Sequence, residues 1–136
     1  MSFDDDPFAH WDERWFGCWR EFGPAYARCP SIESFVDRSW AHPRRADLVA
    51  YLAAAPIVAS TSRTAIPWAR GPGDGRSVVS FRSDGRWLWL DDLDYYVAEQ
   101  DVRLPDAFVA DIEARGFRPP AELEVDMKDL PQPPVG

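Results

Sequence analysis

Residues 77–90 read S-V-V-S-F-R-S-D-G-R-W-L-W-L, and this stretch decides the fold. Two apolar runs flank Ser83-Asp84-Gly85, and Asp-Gly between such runs is a strong hairpin signal, because glycine tolerates the left-handed backbone of a tight turn. Alternation along the first run, 77–82, sets Val79 and Phe81 on one face. In the second run, 86–90, it sets Trp87 and Trp89 on one face. A hairpin with bulky aromatics on it must be covered, so the elements outward in both directions are expected to pack against it.

On the C-terminal side, a helix is expected over Asp92 to Gln100, capped by Asp91, with Leu93, Tyr96 and Val97 facing inward. Leu104-Pro105 opens a further helix, its apolar stripe being Phe108, Val109 and Ile112 and its end Gly116. Residues 118–136 lose all periodicity and hold five prolines, the composition of an acidic, proline-rich tail running through Leu123, Val125 and Leu130.

On the N-terminal side, Ile57 to Ala59 is a short strand candidate. Residues 60–76 form a long polar connection rich in Gly, Pro and Arg, and connections of that length are often functional. A helix is expected from about Arg44 to Ala54, with Leu48, Tyr51 and Leu52 inward and Pro56 ending it. Another starts at Ser31, burying Ile32, Phe35, Val36 and Trp40. Phe8, Trp11, Trp15, Cys18, Trp19 and Phe22 are spaced as one stripe of a first helix that begins at Pro7 and ends at Gly23-Pro24. The expected architecture is therefore α+β: a small antiparallel sheet built on the 77–90 hairpin and packed against about five helices. Residues 1–117 form the globular domain.

The chain has 136 residues, 46% of them hydrophobic and 14% aromatic, enough for one core. Its seven tryptophans are read as core packing rather than as a ligand-stacking set. The formal charge of -8 disfavours nucleic acid and anionic membranes, both of which need basic side chains against phosphate. It suits a basic protein partner. No apolar run is long enough to cross a bilayer, and the acidic stretch Met1 to Asp6 lacks the basic start of a secretory signal. The expected location is cytoplasmic, with Cys18 and Cys29 as reduced, buried thiols.

Candidate chemistry is sparse. A metal site would have to use His10, Cys18, Cys29 and His42, whose spacing fits no zinc pattern, so neither metal nor cofactor is expected. Neither histidine lies in a nucleophile motif. The glycines at 71–75 lack the Gly-Lys-Ser/Thr of a phosphate loop. In the long connection, Arg63, Trp68, Arg70 and Arg76 could hold an anion or an aromatic ring, although solvated arginines are the simpler account.

Charge is unevenly placed. Residues 31–90 carry eight bases and five acids, whereas residues 91–136 carry twelve acids and four bases. Asp91, Asp92, Asp94, Glu99 and Asp101 surround the helix that follows the hairpin, beside Tyr95. A solvated helix face explains part of this, since acids early in a helix favour its dipole. An acidic docking surface with an aromatic anchor is the functional reading.

Residues 83–108, S-D-G-R-W-L-W-L-D-D-L-D-Y-Y-V-A-E-Q-D-V-R-L-P-D-A-F, resemble a segment of small actinobacterial proteins of unknown function. The shared pattern is Asp84-Gly85, the pair Trp87 and Trp89, the helix with Tyr96-Val97, and Val102 through Leu104-Pro105 to Phe108. Two departures stand out: Leu90 where a proline is common, and no upstream cysteine pair, so no metal role carries over. In size and charge the chain is similar to immunity proteins of toxin systems. The resemblance implies a small binding protein that inhibits a basic, toxin-like protein. The alternative expectation is a small enzyme or ligand-binding protein of bacterial secondary metabolism, with its pocket near the 60–76 connection.

Overall fold

A computed structural model describes residues 7–11, 13–61 and 79–134. Its centre is the expected hairpin, β3 (Val79–Ser83) and β4 (Leu88–Leu90), paired antiparallel with Phe81 opposite Leu90, Arg82 opposite Trp89 and Ser83 opposite Leu88. The turn is held by side chains. Asp84 Oδ1 accepts the backbone N–H groups of Arg86 and Trp87 at 2.9 and 2.8 Å. Ser83 Oγ accepts Gly85 N–H at 2.9 Å and donates to the Trp87 carbonyl at 2.7 Å. Gly85, at φ +91°, supplies the left-handed position that the Asp-Gly pair implies.

The sheet has four strands in the order β1-β4-β3-β2, with β2 at Ile57–Thr61 and β1 at Trp15–Phe16. β2 lies antiparallel to β3, but β1 lies parallel to β4, with Trp15 opposite Leu88 and Phe16 opposite Trp89. The sheet is thus mixed, a correction to the purely antiparallel expectation. It follows from a second correction: the expected first helix stops early. α1 covers only Pro7–His10, and the chain then enters the sheet. All five residues from Trp15 to Trp19 are buried. A helix exposes part of its circumference at the surface of a small domain, whereas an extended segment inside the core buries every side chain. Gly17, at φ +87°, sits where that segment turns away.

Four α-helices occur among the described residues, rather than about five: α1, α2 (Arg45–Ala54), α3 (Leu93–Glu99) and α4 (Asp106–Ala114). The helix expected from Ser31 is one 3-10 turn, Ile32–Phe35, with Ser31 Oγ accepting Glu33 N–H at 3.2 Å. Its β-branched flank Val36 then pairs with Val102 as an isolated bridge. α2, α3 and α4 bury the faces foreseen: Leu48, Tyr51 and Leu52; Leu93, Tyr96 and Val97; Phe108, Val109 and Ile112. Position 92, not 91, precedes α3, and the Asp92 side chain makes no capping bond. In the C-terminal segment, Leu130 is buried, and a 3-10 turn covers Met127–Asp129. Among the described residues no helix is long and apolar enough to cross a membrane.

Candidate functional site

The acidic residues around α3 do not form one uniform patch. α3 is anchored first. Arg45 of α2 donates from Nε to the Val97 carbonyl at 3.0 Å, and from Nη2 to the same carbonyl and to Asp101 Oδ1, the latter at 3.3 Å. One guanidinium therefore caps the Val97 carbonyl near the C-terminus of α3 and pairs with Asp101. Asp101 holds φ +57°, a left-handed conformation that aspartate tolerates, and the chain leaves the helix there.

Asp92 is a correction to the expected surface set. It is buried, at 8% exposure, and its charge lies near Cys18. A partner protein cannot reach it without opening the core. Asp91 is half-buried at the turn, its N–H donating to the Ser80 carbonyl at 3.0 Å.

Three residues remain on the outward face of α3. Asp94 and Tyr95 are half-buried and Glu99 is exposed. Tyr95 packs edge-on against Tyr96, with centroids 5.2 Å apart, and its hydroxyl accepts Gln100 Nε2–H at 3.3 Å. Those two contacts fix the position of the Tyr95 ring on α3. Of the other acids of the C-terminal third, Asp106 pairs with Arg103, Asp111 with Arg86, Glu113 with His42 and Asp126 with Lys128, whereas Glu122, Glu124 and Asp129 make no ion pair among the described residues. Asp94 and Glu99 make no ion pair among the described residues. That difference between engaged and unengaged acids could not be counted from the sequence.

Arg63, Trp68, Arg70 and Arg76, the ligand-site residues of the alternative expectation, lie outside the described residues. A different cavity of about 520 Å³ opens between the N-terminal aromatics and the C-terminal segment, lined by Trp11, Trp15, Arg28, Cys29, Gln132 and Pro134 among others. Its cysteine is near enough to Cys18 for each thiol to affect the other, a proximity the eleven-residue separation of the two gave no reason to expect. Among the described residues, no group of three or more His, Cys, Asp or Glu is arranged to hold a metal ion.

Protein-family models, curated proteins and solved structures contain no match to this chain.

Proposed function

We propose that the chain is a small, acidic, cytoplasmic binding protein of the immunity type, which inhibits a basic protein partner through the outward face of α3. The observation that carries this reading is the pair of carboxylates Asp94 and Glu99 on the outward face of α3 beside Tyr95, neither of which makes an ion pair among the described residues. Helix stability accounts for Asp94, in the first turn, where a negative charge meets the positive end of the dipole. It does not account for Glu99. That residue stands in the last turn of a seven-residue helix, where its charge opposes the dipole. A contact outside the chain gives it a purpose, and the tyrosine supplies the apolar anchor such contacts use.

Long-range attraction between this acidic third and a basic partner speeds encounter and makes it salt-sensitive. The test is capture from the native host at low salt, by the tagged wild-type chain and by a D94N/E99Q variant in parallel. The proposal expects one basic protein held in stoichiometric amount by the wild type, released by salt and weakened on the variant. Equal retention by both chains would overturn it.

A further inference from the structure

Cys18 and Cys29 are both buried, yet they differ in what surrounds them. Their thiols are close enough for each to shift the ionisation of the other. Cys18 is enclosed by the core beneath α3, and Cys29 forms part of the wall of the 520 Å³ cavity. The exposed residues Arg28 and Gln132 line that cavity too, so it communicates with solvent.

The backbone already brings the two segments together. Arg20 N–H donates to the Pro30 carbonyl at 3.0 Å. One residue further on, Glu21 accepts Ile32 N–H at 2.9 Å and the Ser31 hydroxyl at 2.5 Å. The loop between the cysteines is thus closed noncovalently beside the point where a disulfide would close it. That lowers the rearrangement a bridge requires, since disulfide geometry tolerates little misplacement.

We propose that Cys18 and Cys29 form a reversible redox site in which a small hydroperoxide, entering through the cavity, oxidises Cys29, and Cys18 resolves the product to an intramolecular disulfide. The Cys29 sulfur attacks the distal peroxide oxygen. The O–O bond breaks, an S–O bond forms, and the alcohol or water leaves with the thiol proton. Cys18 sulfur then attacks the sulfenic sulfur of Cys29, and the hydroxyl departs as water with the Cys18 proton. Two thiols and one hydroperoxide give one disulfide, one alcohol or water, and one water. The hydroperoxide is reduced by two electrons.

The surroundings divide the roles in this order. The neighbouring Cys18 thiol favours the charged form of Cys29, burial opposes it and the Arg28 charge supports it, leaving the Cys29 thiol below its ordinary range. The neighbouring Cys29 thiol and its charge, burial and the charge of Asp92 push Cys18 up. A thiolate is the nucleophile, so the cavity-facing cysteine reacts first and the enclosed one waits.

The experiment uses the full chain, reduced and native. Limiting iodoacetamide followed by peptide mapping should label Cys29 at least about tenfold faster than Cys18. Hydrogen peroxide should then remove both thiols together, with a mapped Cys18–Cys29 bridge that dithiothreitol reverses. In Cys18→Ala the reaction should stop at a Cys29 sulfenic acid captured by dimedone. The wild-type labelling and mapping keep the test decisive if that variant fails to fold. Labelling of both cysteines only in denaturant, faster labelling of Cys18, or oxidation of Cys29 with Cys18 left as a thiol would each overturn the proposal.

Discussion

The indole of Trp87 lies face to face with the ring of Phe108, centroids 4.4 Å apart and planes 4° from parallel. One helical turn beyond Phe108, Asp111 Oδ2 accepts the Trp87 indole N–H at 2.7 Å and Arg86 Nε–H at 2.8 Å. The stacked ring fixes how closely α4 approaches the hairpin, and the carboxylate fixes its rotation. A buried indole N–H without an acceptor is costly, so the two contacts reinforce each other.

Replacing Asp111 by Ala should therefore cost more than a surface change. The buried Trp87 N–H loses its charged acceptor, a loss of about 1–3 kcal/mol, while the half-exposed Arg86 pair adds little. Urea unfolding of Asp111→Ala and of Trp87→Phe should each show this loss. The double variant should lose less than the two combined, because both remove one shared hydrogen bond. Full additivity would mean that the bond contributes nothing.

Tyr51 and Asp84 tie α2 to the hairpin turn. The tyrosine hydroxyl donates to Asp84 Oδ2 at 2.5 Å, while Oδ1 holds the turn. Burial first, and then the hydrogen bond and charge of Asp84, push the Tyr51 hydroxyl far above its ordinary value of 10.0. A raised folded-state value gives stability that is whole below pH 10 and is lost as the pH rises further, by up to about 1.4 kcal/mol per pH unit. Wild-type stability should fall in that alkaline window, and Tyr51→Phe should flatten the fall while costing about 1–2 kcal/mol at neutral pH. An unchanged alkaline slope would refute the assignment.

The sequence announced the hairpin because Asp84-Gly85 carries its own mechanism, a carboxylate that accepts turn N–H groups beside a residue free to adopt positive φ. α2, α3 and α4 were legible for a related reason: each has one apolar stripe and one polar face. The segment 15–19 was misread because Trp15, Cys18, Trp19 and Phe22 have helical spacing, while the neighbours Phe16 and Gly17 are buried as well. Local periodicity cannot report a parallel partner that lies some seventy residues away, as Leu88 and Trp89 do. At the acidic surface the sequence named the residues, yet only packing separates the buried Asp92 and the Arg45-bound Asp101 from Asp94 and Glu99. The proximity of Cys18 to Cys29 depends on the 3-10 turns at Arg20–Phe22 and Pro24–Tyr26, which have no such stripe.

Glu21 should make the fold acid-sensitive. Burial raises its carboxyl, but the Ser31 hydroxyl and the Ile32 N–H outweigh burial and hold it below its ordinary value of 4.5. Asp111 is likewise lowered from 3.8, burial again being outweighed by Trp87 and Arg86. Carboxyls lowered in the folded state contribute stability above their unfolded values and lose it as the pH falls through the folded ones. Thermal unfolding should show a declining midpoint below about pH 4.5, and Glu21→Gln should shrink that decline. A decline of equal size in the variant would remove Glu21 as its source.

Gly17 should tolerate no side chain. Its φ of +87° is a conformation L-residues adopt at a cost of about 1–2 kcal/mol. A Cβ built there would stand 3.3 Å from Leu93 Cδ1, so the methyl group also presses on the first turn of α3. Leu93 is fully buried and cannot swing outward to make room. Gly17→Ala should thus destabilise by roughly 2–3 kcal/mol, strain and overpacking together. Trimming the neighbour separates the two contributions: in a Gly17→Ala/Leu93→Val chain the packing clash is relieved and the backbone strain remains. The double variant should then be more stable than Leu93→Val and Gly17→Ala would give by simple addition. Exact additivity in urea unfolding would show that Leu93 does not press on this position, and that backbone conformation alone reserves it for glycine.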